Sequence, residues 1–138
     1  MPKVFRILLV EDNADDEQLT LRALRKLGPQ VELEVARDGE MALARLLHSE
    51  EPTPNLILLD LHLPKINGLQ VLQRLRADDR MAHVLVVVLT ASDEPENIRA
   101  SYQQYANSYI HKPVLLTDFA QVVQKLGVYW LELNVDGA

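Results

Sequence analysis

The 138-residue sequence predicts a single α/β domain, a doubly wound parallel sheet of five strands. Three observations carry that prediction. Short apolar runs rich in branched side chains alternate five times with longer stretches of helical spacing, a (βα)5 rhythm. The first run, Arg6 aside, and the third and fourth read as continuously apolar rather than alternating, as suits strands covered by helices on both faces. The second alternates, which marks an edge strand.

Taken in order, Phe5–Val10 is the first strand and ends in Glu11-Asp12. Leu19, Leu21, Leu24 and Leu27 then stripe a helix that Gly28-Pro29 stops. Val31–Ala36 is the alternating strand, with Glu32 and Glu34 pointing away from the core. Met41, Leu43, Leu46 and Leu47 mark the second helix, closed by the EEPTP loop. Leu56–Leu59 runs straight into Asp60, and Pro64 and Gly68 punctuate the loop before the helix of Leu69, Leu72 and Leu75. Val84–Leu89 is the fourth strand, ending in Thr90-Ala91. Ile98, Tyr102 and Tyr105 mark the fourth helix, which starts at Asp93-Glu94-Pro95, where proline fits a first turn. Ser108–Ile110 is the fifth strand, followed by His111-Lys112-Pro113. Apolar residues at 119, 122, 123, 126, 130 and 133 give the last helix a spacing that continues past Gly127. Residues 1–138 thus read as one domain with an apolar C-terminal helix extension.

Composition narrows the function. The chain is 48% hydrophobic and long enough to bury a core, so it is no disordered acidic tail. Twenty acidic against 14 basic residues give a charge of -6, which argues against nucleic acid or an anionic membrane as partner. Cysteine is absent, which removes disulfides, thiolate nucleophiles and cysteine-ligated metals. The N-terminus is interrupted by acids too early for a secretory signal, and no run is long enough to span a membrane. A cytoplasmic domain is expected.

In a doubly wound sheet, ligands sit beyond the C-terminal ends of the strands. Here those ends carry Glu11, Asp12, Asp60, Thr90 and Lys112. Singly, each has an ordinary reading: turn or cap acids, a strand-end hydroxyl, a solvated lysine, a proline that starts a helix. Four successive strand ends carrying such groups do not. Converging carboxylates repel unless a cation neutralises them, and hard oxygen donors suit Mg²⁺. Such a site would use Asp12, Asp60, Glu11 through water and a backbone carbonyl just after Asp60. Lys112 and the Thr90 hydroxyl would take the remaining oxygens of a phosphoryl group. Asp60 is then placed to become an acyl phosphate, with its carboxylate as nucleophile.

VEDNADD at 10–16, LLDLHLPKINGLQVLQRLR at 58–76, VVLTAS at 87–92 and YIHKPV at 109–114 resemble the receiver domain of bacterial two-component response regulators. The resemblance covers nearly the whole chain. It implies a flavodoxin-like receiver fold with strand order 2-1-3-4-5. It implies that Asp60 is the phosphoacceptor, that Glu11, Asp12, Asp60 and the His62 carbonyl hold Mg²⁺ (or Mn²⁺ in its place), and that Thr90, Ala91 and Lys112 bind the phosphoryl group. Thr90 and Tyr109 are the implied switch pair, and the Lys112-Pro113 bond is implied to be cis. His62 stands where the family varies, overlooking the route of an attacking water.

The SYQQYANSYIHKPV segment with DFAQVV and a YWL end is similar to stand-alone response regulators paired with bacterial phytochromes. That implies a phytochrome-type histidine kinase as donor and signalling through the fourth helix, fifth strand and fifth helix. It also implies a homodimer, whose surface would include Tyr102, Tyr105, Phe119, Tyr129, Trp130 and Leu133; the alternative is a last helix that caps its own core. The downstream target would be another protein, or the domain would act as a phosphate relay or sink. Self-phosphorylation from small donors and autodephosphorylation would not make it a conventional enzyme. Three rivals stand beside this reading. An aspartyl phosphohydrolase would want an acid where His62 stands, and a nucleotide or flavin binder would want a glycine-rich loop where EDNADD stands. A receiver-shaped binding module would not need Asp12, Asp60, Thr90 and Lys112 intact.

Overall fold

The computed structural model describes residues 4–134. Its elements are β1 (Phe5–Val10), α1 (Ala14–Arg25), β2 (Val31–Ala36), α2 (Gly39–Leu47), β3 (Leu56–Leu59), α3 (Gly68–Ala77), β4 (Leu85–Thr90), α4 (Pro95–Gln103), β5 (Ser108–His111) and α5 (Leu116–Val128), followed by a π-helical turn at Tyr129–Leu133. The strands are parallel in the order β2-β1-β3-β4-β5. This is the doubly wound architecture expected, with β2 at one edge and Glu32 and Glu34 exposed.

Side chains of successive strand residues point to opposite faces, and the register stacks them into two cores. On one face Leu8, Val10, Ile57, Leu59, Val86 and Val88 pack under α2 and α3. On the other, Ile7, Leu9, Leu56, Leu58, Val87 and Leu89 pack under α1 and α5. Full burial of each such side chain contributes about 1.5–3 kcal/mol. The inner strands therefore hold the sheet, and with it the strand ends, in fixed relative positions.

Helix starts follow local chemistry. Asn13 accepts from Asp16 N–H, Asp38 from Met41 N–H, and Asn67 forms a reciprocal capping box with Gln70. α4 has no side-chain cap; Pro95 opens it instead. Two expectations are corrected here, for Tyr105 and for Phe119. Tyr105 is not part of the fourth helix: α4 ends at Gln103 with Ser101 as its buried residue, and both Tyr102 and Tyr105 are exposed. Tyr105 lies beyond the helix with φ at 62°, its carbonyl accepting from Arg76, which also binds the carbonyls of Met81 and Val84. The last helix does continue past Gly127, through Val128 and then in π form over Tyr129–Leu133, where Tyr129 meets Trp130 edge-on at 5.0 Å. Phe119 is no surface residue: it is 3% exposed in the α1–α5 core, because the apolar face of α5 turns toward the sheet. Trp130 is half-buried against that core, whereas Tyr129 and Leu133 are exposed. No helix among the described residues is long and apolar enough to cross a membrane.

Candidate functional site

The strand ladders extend one residue beyond β1, β3 and β5, and this extension builds the site. Glu11 N–H donates to Ala36 O, Asp60 N–H to Val10 O and Lys112 N–H to Thr90 O, at 3.0, 3.1 and 2.7 Å. Each functional residue is thus the first past its strand yet still tied to the sheet. Thr90 closes β4.

Their side chains meet in one buried cluster. Lys112 Nζ donates to Glu11 Oε1 at 2.6 Å, Asp16 Oδ2 at 2.9 Å and Asp60 Oδ2 at 3.1 Å. The other oxygen of Asp60 accepts from Thr90 Oγ1 at 2.9 Å and from His62 N–H at 3.1 Å. Glu11, Asp60, Thr90 and Lys112 are all buried, while Asp12 is exposed at the mouth. Beneath the ammonium group, the Phe119 ring lies 5.9 Å away, within cation–π range.

Burial acts against the charge of each acid, and their partners decide the outcome. For Asp60, desolvation is outweighed by the Lys112 charge and by hydrogen bonds to Glu11, His62 N–H and Thr90, so its carboxyl sits below the usual range. Glu11 has less compensation: burial, opposed by the Lys112 hydrogen bond and reinforced by the Asp60 charge, pushes it up to about 8. Lys112 is raised, since hydrogen bonding to Glu11 and the Asp60 charge outweigh its burial. The surroundings therefore favour the ionised form of Asp60 and, through burial, the protonated form of Glu11.

One oxygen from each of Glu11, Asp12 and Asp60 lies within 4.8 Å of the others. Three hard carboxylate donors, one at the solvent edge, fit a divalent cation of the Mg²⁺ or Mn²⁺ type. The Glu11 proton must leave before its oxygen can serve as a ligand. Mg²⁺ binding is therefore expected to release protons, up to about one per ion near pH 7, and its affinity to rise with pH until about 8. Calorimetric titrations in two buffers of different ionisation enthalpy measure the release; a buffer-independent heat would mean Glu11 is already ionised.

Around this centre, Tyr109 is half-buried and its hydroxyl donates to Ser92 O at 2.7 Å. Burial raises the Tyr109 hydroxyl's pKa, the Ser92 hydrogen bond only partly opposing it. Ala91 and the His62 side chain are exposed. The Lys112–Pro113 bond is trans, against the cis bond the resemblance implies. Trans is the lower-energy isomer of an X–Pro bond, and Lys112 N–H remains tied to Thr90 O. Asp16 was not anticipated. It stands in the first turn of α1, three residues after the Asn13 cap, where acids are ordinary helix-start residues.

A sheet in the order 2-1-3-4-5, with acids, a hydroxyl and a lysine gathered on its C-terminal rim, defines the receiver class of signalling domains. The chain belongs to the response regulator receiver domain family, which residues 7–124 match. Among its relatives, the response regulator Rcp1 of Synechocystis is 41% identical over 95% of this chain and 90% of its own length. The probable methanogenesis regulatory protein FilR2 of Methanothrix harundinacea is 40% identical over 94% and 86%. The fold is similar to the crystal structure of the phosphorylated cyanobacterial phytochrome response regulator RcpA, with TM-score 0.93 and 34% identity over 98% of this chain and 99% of that one. It is likewise similar to the Mn²⁺-bound form of Rcp1, with TM-score 0.91 and 39% identity over 99% and 100%.

Proposed function

We propose that this receiver accepts a phosphoryl group from a histidine kinase of phytochrome type onto Asp60, in a Mg²⁺-dependent reaction that Mn²⁺ also supports. The observation that carries the reading is a buried carboxylate with one oxygen held by Thr90 and His62 N–H and the other by Lys112, partners that favour its ionised form. A carboxylate so held is a positioned nucleophile. Its oxygen bonds to the phosphorus of the donor phosphohistidine as the P–N bond breaks, the electron pair leaving on the imidazole nitrogen. A divalent ion held by Glu11, Asp12, Asp60 and the His62 carbonyl supplies neutralisation of the phosphoryl charge. Lys112 exchanges the Asp60 carboxylate for a new phosphoryl oxygen, and Thr90 and the Ala91 backbone take another. Tyr109 leaves Ser92 O and follows Thr90, altering the surface of α4, β5 and α5. The similarity to RcpA and Rcp1 supports the choice of kinase and the metal class. The exposed rings of Tyr102, Tyr105 and Tyr129, with Leu133, support that surface as a homodimer contact, since tyrosine is enriched at interfaces.

The test is intact mass after incubation with acetyl phosphate, with and without Mg²⁺, beside Asp60→Asn. One phosphoryl group per chain is expected, lost on chelation and absent from the variant. Uptake by Asp60→Asn would move the acceptor elsewhere, and failure of the wild type with both small donors and phytochrome kinases would leave a binding module. Light scattering on the same samples reads the dimer.

A further inference from the structure

Two neighbouring carbonyls of the β4–α4 loop are held from β5. The Tyr109 hydroxyl donates to Ser92 O at 2.7 Å, and His111 Nε2 lies 2.9 Å from Ala91 O. A carbonyl only accepts, so His111 Nε2 carries the proton in this contact. Tyr109 and His111 are two residues apart on one strand and so project from the same face. The register sets His111 beside Thr90, which places its ring next to the first residue past β4. α4 supplies no side-chain N-cap of its own, so restraint on this loop comes chiefly from β5 and from the Ser92 hydroxyl, which accepts from Asn97 Nδ2.

We infer that His111 is a positioning residue, a second latch that holds the Ala91–Ser92 peptide plane in the phosphoryl-free arrangement. This rests on the proposed chemistry at Asp60 only for its consequence, not for the latch. When Tyr109 leaves Ser92 O, His111 still grips Ala91 O, so the loop opens in two steps rather than one. The grip survives in both the Nε2–H neutral ring and the imidazolium, because either form donates. Its loss favours the open loop by about fivefold, the weight of one ordinary hydrogen bond. Under the proposed function, phosphoryl uptake from a small donor quickens by a similar factor.

The test compares His111→Phe, which keeps a ring and loses the donor, with His111→Gln, whose amide can donate from a similar reach. His111 is exposed, so neither change threatens the core. The first readout is amide hydrogen exchange at Ser92, Asp93 and Glu94, with the ¹⁵N shift of Ser92, in unphosphorylated protein without Mg²⁺. Exchange should rise about fivefold in His111→Phe and return toward wild type in His111→Gln. Unchanged exchange in His111→Phe overturns the latch, and an equal rise in both variants replaces donation by ring packing and overturns it too. The second readout is the rate of phosphoryl uptake from acetyl phosphate with Mg²⁺. If exchange responds as stated while even the wild type takes up no phosphoryl group, the latch stands and the proposed function fails.

Discussion

Lys112→Met is expected to destabilise the protein by about 3–5 kcal/mol at pH 8 in metal-free buffer, the cost of leaving buried charges unpaired. The ammonium group touches three carboxylates, and both it and two of them, on Glu11 and Asp60, are buried. Without it, Glu11 and Asp60 face each other with no cation between them. Their carboxyls must then hold protons in the folded state at a pH where the unfolded chain has released them. A group whose folded pKa is raised loses stability as pH climbs from the unfolded value toward the folded one. In the wild type Lys112 stays charged throughout this range and Asp60 is held low, so the loss is confined to Glu11. The penalty of the substitution therefore grows between about pH 4 and pH 8, and Mg²⁺ should return part of it by replacing the missing charge. Urea denaturation at pH 5 and pH 8, with EDTA and with Mg²⁺, reads both effects. An equal penalty at the two pH values would mean the cluster is not electrostatically coupled.

The strands and the principal acids were legible because each is encoded locally. A buried parallel strand shows as an unbroken apolar run, and an acid at its end stands out against it. Asp60 after Leu56–Leu59 and Glu11 after the apolar residues 7–10 of β1 are cases of that contrast. Asp16 was illegible for the opposite reason: its local chemistry, an acid in a helix's first turn, is complete without its long-range role. Only the fold brings it to a lysine 96 residues away. The aromatic residues misled through spacing. Tyr102 and Tyr105 sit at helical intervals, but Tyr105 leaves the helix, and the α4 position packed inward is a serine whose hydroxyl bonds to Asn97 O. Phe119 shares its stripe with Val123 and Leu126, and packing against α1 and beneath Lys112, not spacing, settles that it faces inward. The proline isomer is a property of the turn around it, which no single residue states.

Gly68→Ala should damage the site without touching any of its functional groups. A β carbon at Gly68 would lie 2.3 Å from the backbone oxygen of Asp60 and 2.6 Å from the α carbon of Leu61. The obstacle is backbone, which cannot swing aside as a side chain can. Gly68 N–H already donates to Leu61 O at 3.0 Å, so the first turn of α3 is seated directly on the peptide that follows Asp60, the proposed phosphoacceptor. Relief to an ordinary contact needs a shift of roughly 1 Å, in a region packed as tightly as a crystal. Overpacking of this kind costs about 1–3 kcal/mol, and alanine's helix propensity returns only about 1 kcal/mol of it. The larger effect falls on chemistry. The 60–62 segment aims the Asp60 carboxylate through His62 N–H, and a misplacement of about 1 Å costs about 10²-fold in rate. Phosphoryl uptake from acetyl phosphate should fall by about that factor, and Mg²⁺ affinity with it, while thermal stability drops modestly. If stability falls but Mg²⁺ affinity and uptake hold, α3 has moved and the Asp60 segment has not. That outcome would place the rigidity of the site in the sheet alone and reduce Gly68 to a packing residue.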